Sequence, residues 1–188
     1  ATQGFTDQLK ELLGDDVNID LQNASNDNNN CVTIINSFVS KNVDLILANA
    51  TTPLQAAASA TDTIPILGTS VTDYGTTLGI TDWTGSTGRN ISGTTDLAPL
   101  DGQAAMIQEL FPDATNIGLL YCSGEPNSKY QIDVIKGYLE GMGYTCTEYS
   151  FSGCNDLSSV CTTACNESDV IYIPTDNTAP TNAELIGN

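Results

Sequence analysis

Short apolar runs and helix-patterned stretches alternate along this chain about every 25 residues, the spacing of strand-plus-helix units, and that rhythm restricts the fold more than any other feature. The run 43–48 is almost continuously apolar, as expected of a strand covered on both faces of a parallel sheet. A second buried strand is expected over 64–67, with a helix between the two that opens at Thr52-Pro53 and continues through the alanines to Ala60. Upstream, Phe5, Leu9, Leu12 and Leu13 sit at helical spacing and Gly14 follows as a stop, the stretch 17–21 alternates like a strand, and Val32, Ile35, Phe38 and Val39 mark another helix after an Asn-rich loop. The second half repeats the pattern with helices over 103–111, 129–142 and 156–165 and strands over 116–122, 145–151 and 170–174. Strands alternating with helices demand parallel sheets flanked by helices, and two such runs argue for an α/β protein of two similar Rossmann-like lobes. They are expected at 1–94 and 95–188, with a Gly/Thr-rich stretch 72–95 and its strand 90–94 leading to a hinge near 94–97.

Charge and composition exclude much of familiar biochemistry. Five Lys+Arg against 23 Asp+Glu leave a formal net charge of -18. No basic patch is available for the counterion release that drives nucleic-acid binding, and anionic membrane surfaces are disfavoured likewise. The absence of histidine excludes Ser-His-Asp and Cys-His nucleophiles and histidine metal ligation. A hydrophobic content of 40% is enough for a packed core, and no apolar run approaches the roughly 20 residues of a membrane span. The chain opens at Ala1 without a charged-then-apolar leader and stops at Asn188, which reads as a mature or truncated piece. Cys31, Cys122, Cys146, Cys154, Cys161 and Cys165 fit buried free thiols or a local disulfide, for which Cys146 or Cys154 suits Cys161 or Cys165 better than those two suit each other. Their spacing is poor for zinc, and no metal or cofactor is expected.

Ligands of doubly wound sheets bind beyond the carboxyl ends of the strands. One such loop, 49–55, holds Thr51, Thr52 as helix N-cap, Pro53 as first helical residue, and Gln55; free N–H groups there suit a carboxylate. A second, 68–74, is hydroxyl-rich and ends in Thr72, Asp73 and Tyr74. A third follows Tyr121 and Cys122 and contains Glu125, Asn127 and Ser128, with Ser128 and Gln131 spaced as a capping box. The fourth carries Thr175, Asp176 and Asn177. Hydroxyls, helix dipoles, carboxylates and aromatics together suit a zwitterion such as an amino acid, although capping and packing are competing uses for each residue taken singly. Carboxylate-pair glycoside hydrolysis has no fixed separation to rest on, and neither nucleotide-binding glycine fingerprint occurs.

The loops carry a resemblance. The strings 43–48 (VDLILA), 52–57 (TPLQAA), 90–96 (NISGTTD), 125–128 (EPNS) and 174–178 (PTDNT) resemble, in order along essentially the whole chain, the ABC transporter substrate-binding proteins of the tryptophan/tyrosine type. The resemblance implies a type I periplasmic-binding-protein fold, a non-enzymatic extracytoplasmic protein whose lobes close on a small ligand, with aromatic amino acids the substrate class of several members, an ABC permease as partner, and a membrane tie only through a lipid anchor outside this chain. It also implies one more strand before the first helix and further chain after Asn177. Ligand contacts implied are Thr51, Thr52, Gln55, Glu125, Asn127, Ser128, Thr175, Asp176 and Asn177. Within that frame Thr52 and Ser128 are expected to take the carboxylate, Asp176 the ammonium, and Tyr74 or Tyr121 the side chain, with Thr72 nearby. A ligand sensor on the same fold, or a carboxylate-based α/β enzyme, are the alternatives.

Overall fold

The computed structural model describes residues 1–187, and the chain divides into two compact units, Ala1–Leu97 and the residues from Ala98 onward. The first unit holds α1 (Thr2–Leu13), α2 (Asn28–Ser40), β1 (Ile46–Asn49), α3 (Thr51–Ala60), β2 (Ile66–Val71), α4 (Tyr74–Leu78) and β3 (Ile91–Thr95). Its strands pair in parallel in the order β1-β2-β3, with Ile46 beside Ile66 and Ile66 beside Ile91. The core joins Ile35 of α2, Leu54 and Ala57 of α3, and Ile46, Ala48, Ile66, Val71 and Ile91 of the sheet. Gly68 and Gly93 are register partners on β2 and β3, and Tyr74 lies across them; a Cβ on Gly93 would collide with the Gly68 carbonyl and the Tyr74 hydroxyl.

The second unit holds α5 (Leu100–Leu110), β4 (Asn116–Cys122), α6 (Pro126–Gly141), β5 (Thr145–Phe151), α7 (Cys154–Glu167), β6 (Val170–Tyr172) and α8 (Ala183–Gly187). Its sheet is parallel in the order β5-β4-β6. Strand β4 is central and buried on both faces: Ile117, Leu119 and Tyr121 pack towards Ile107 of α5 and Ile132, Ile135 and Leu139 of α6, whereas Leu120 and Cys122 pack with Leu157, Cys161 and Ala164 of α7. Alternate side chains leave opposite faces of a strand, so helices on both sides require an apolar residue at every position.

Four local expectations are corrected. The stretch 17–21 has no ladder partner among the described residues and joins no sheet; its Asp20 is held instead by Lys41 at 2.6 Å. The second strand runs on through residues 68–71, so that segment is sheet and not loop. Helix α3 begins at Thr51 with Ala50 as N-cap, not Thr52, because Ala50 turns the chain at φ 91° one residue after β1 ends. Helix α6 begins at Pro126 with Glu125 as N-cap, which leaves Ser128 inside the first turn and dissolves the expected Ser128/Gln131 capping box. Proline at the first helical position lacks only an N–H that would have been unpaired anyway. All six cysteines are free thiols, Cys31, Cys122 and Cys161 buried and Cys154 and Cys165 exposed.

Candidate functional site

At the carboxyl edge of the second sheet, the loop after β4 and the loop after β6 interlock. Asp176, only 5% exposed, is the centre of the contact. Its Oδ2 accepts from the Cys122 N–H at 2.9 Å and the Ser128 hydroxyl at 2.7 Å, and its Oδ1 accepts from the Thr178 and Ala179 N–H groups, both at 2.8 Å. Glu125 reaches the same turn from the other side: Oε1 accepts from the Thr178 N–H and hydroxyl at 3.0 and 2.7 Å, and Oε2 from the Asn177 N–H and Nδ2 at 2.9 and 2.8 Å. Asn127 Nδ2 donates to the Thr175 carbonyl at 3.3 Å. Gln131, fully buried, pairs with the Thr175 peptide as a neighbouring strand would, Nε2 donating to Thr175 O at 2.9 Å and Oε1 accepting from Thr175 N at 3.1 Å.

Neither Glu125 nor Asp176 has an ion-pair partner among the described residues, so this edge carries uncompensated negative charge. Burial pushes the Cys122 thiol up, and the two carboxylates add to the shift. Cys122 is therefore held as a thiol, not a thiolate nucleophile. Thr175 and Asn177 remain exposed, while Ser128 has no exposure and commits its hydroxyl to Asp176.

At the carboxyl edge of the first sheet, α3 starts with no side-chain cap, and Pro53 supplies no N–H, so the Thr51 and Thr52 peptides face outward from the helix start. Thr51 is buried and Thr52 partly so; Gln55 Nε2 donates to the Thr77 carbonyl at 3.1 Å, tying α3 to α4. The Thr72 carbonyl accepts from the Thr95 hydroxyl at 2.7 Å. An open depression of about 470 Å³ is lined by Thr72, Tyr74, Trp83, Arg89 and Thr95 among others, but not by Thr51, Thr52 or Gln55. Tyr74 and Trp83 stack with ring centres 6.5 Å apart and planes 12° apart. Tyr74 is buried and donates to the Thr94 carbonyl at 3.3 Å; burial, then Asp96, raises its phenol. Tyr121 is buried in the second unit's core with its hydroxyl on Glu148 Oε2 at 3.2 Å, away from the loop pair.

The structure thus brings Glu125, Asn127, Ser128, Thr175, Asp176 and Asn177 into one cluster. The sequence places Gln131 only in a capping box and offers Trp83 only as a packing or stacking aromatic; the structure makes Gln131 an anchor of the turn and Trp83 a wall of the depression. The capping-box spacing drew attention to Gln131 but not to its bonds with Thr175, a partner 44 positions away, whereas Trp83 is the only tryptophan and lies in a Gly/Thr-rich loop. Each unit is thus equipped by itself: the first has an uncapped helix start and the second an acidic loop pair.

Residues 1–187 match the family model described as ABC transporter substrate binding protein. The chain belongs to this family. The chain is 36% identical over 180 residues to the "Tyrosine-binding protein" of Clostridioides difficile (strain R20291), an alignment that covers 94% of this chain and 52% of the relative. Two solved structures, each 31% identical with a TM-score of 0.89, cover 98% of this chain and 63% of theirs: an ABC domain in complex with L-Trp from Streptococcus pneumonia, and a conserved domain protein from Vibrio cholerae. The chain spans about half the length of that curated relative and under two thirds of those solved chains. Its α/β architecture of parallel sheets is the type I periplasmic-binding-protein fold.

Proposed function

We propose that this substrate-binding protein captures an aromatic amino acid outside the cytoplasm and delivers it to an ABC permease, without catalysis. The observation that carries the reading is the acidic loop pair formed by Glu125 and Asp176 at the edge of the second sheet, whose carboxylates have no cation beside them among the described residues. Such an edge suits an ammonium, and the uncapped start of α3 suits a carboxylate. The ligands in the names of two relatives, tyrosine and L-Trp, supply the side-chain class. No helix among the described residues is long and apolar enough to cross a membrane.

A thermal-shift screen of the common amino acids on the whole protein tests this. One-site linkage gives about 2.7 kcal/mol at a hundredfold excess over Kd, a shift of several degrees. Stabilisation confined to Tyr, Trp and Phe is the expected result. A flat response across the panel would remove amino acids as ligands.

A further inference from the structure

The two carboxylates that suggest an ammonium site have their oxygens occupied from within. A carboxylate oxygen offers two lone pairs, and each oxygen of Asp176 already accepts two hydrogen bonds, from Cys122 N and Ser128 Oγ on one side and from Thr178 N and Ala179 N on the other. Glu125 is equally engaged, by Thr178 at Oε1 and by both nitrogens of Asn177 at Oε2. Gln131 then fixes both the N–H and the carbonyl of Thr175. These contacts join residues 122–131 to residues 175–179 at every step of the turn.

We propose that Glu125, Gln131 and Asp176 are positioning residues, a clasp that sets the 175–179 turn in its binding geometry before a ligand arrives, and that the turn meets the ligand through its exposed residues Thr175 and Asn177, the latter oriented by the bond from its Nδ2 to Glu125. The ligand's identity rests on the reading above; the clasp does not. Asp176 acts on the ligand through the turn and as a nearby negative field, not as the partner of an ammonium hydrogen. Asp176→Asn puts an NH2 group against the Cys122 N–H or against the Thr178 and Ala179 N–H groups, so at least one arm of the clasp opens. Gln131→Met keeps the volume and removes both links to Thr175. Ser128→Ala is a milder variant that removes one hydrogen bond to Asp176 at a position with no exposure.

The test reads amide hydrogen exchange in the ligand-free whole protein and calorimetric affinity for L-Tyr and L-Trp, with Thr175→Val as the outward-facing comparison. Expected is that Asp176→Asn and Gln131→Met speed exchange at the Cys122, Thr175, Thr178 and Ala179 amides by roughly tenfold or more and weaken binding by a similar factor, Ser128→Ala doing both to a smaller degree. Thr175→Val should weaken binding and leave exchange unchanged. Loss of binding in Asp176→Asn with unchanged exchange overturns the clasp and makes Asp176 a direct contact. If the wild type binds neither amino acid, the aromatic reading falls and exchange alone decides: faster exchange in the variants upholds the clasp, unchanged exchange overturns it. Should Gln131→Met fail to fold, Ser128→Ala carries the same comparison.

Discussion

A hydrogen atom in place of a methyl group decides whether the first unit's sheet can close around Tyr74. Gly93 lies beside Gly68, and any Cβ there would meet both the Gly68 carbonyl and the phenol oxygen. One of the colliding atoms is backbone, so the strain is not relieved by turning a side chain, and overpacking of this kind costs about 1–3 kcal/mol. Gly93→Ala should lower the Tm by several degrees and disturb the Tyr74–Trp83 stack, which near-ultraviolet circular dichroism reads directly. An unchanged Tm with an unchanged aromatic signal would show that the contact relaxes freely. The residue scale was also where the sequence was least legible. Ser128 could be recognised as a residue near a helix start, yet its hydroxyl serves a carboxylate 48 positions away, a partner that only the folded sheet brings near. Tyr121 read equally well as a stacking or a packing residue, and it is the strand's alternation, carried one residue further, that turns it into the core.

Among elements, the strands and helices of the second unit lie close to where periodicity put them, because β4, buried on both faces, has little freedom to be anything but apolar. The stretch 17–21 shows the limit of that logic: alternation makes a strand possible, but a strand exists only with a partner to exchange hydrogen bonds, and no local pattern reports the partner. Beginnings of helices were misplaced by two to three residues for a related reason, since Ala50 at φ 91° and Glu125 with its carboxylate turned to Asn177 and Thr178 occupy cap positions without using a side chain to cap. Asp169 offers a test at this scale. It accepts from the Thr115 and Asn116 N–H groups, both at 2.9 Å, and from the Thr115 hydroxyl, joining the start of β4 to the start of β6. These donors hold its carboxyl below the ordinary aspartate value. A depressed folded pKa contributes stability that is present above the unfolded value, about 3.9, and is lost as pH falls through the folded one. Asp169→Asn should therefore be less stable than wild type near neutral pH, with the difference shrinking on acidification below about pH 4. A difference that stays constant with pH would separate Asp169 from the acid response.

For the molecule as a whole, a charge of -18 dominates behaviour in solution. Only four ion-pair contacts occur among the described residues, so screening has far more repulsion to remove than attraction. Raising NaCl from low to physiological ionic strength should increase the Tm, and a fall would mean that the contacts of Lys41, Lys129 and Lys136 outweigh the net charge. The clasp between the two loops also has a history within each molecule's lifetime. Its partners Cys122 and Asp176 stand 54 positions apart, with β5, α7 and β6 between them. A ribosome releases the chain from its amino end, so β4 and its turn wait, unsatisfied, until β5, α7 and β6 have been made. The turn therefore cannot be set while β6 and the residues that follow it are still unmade.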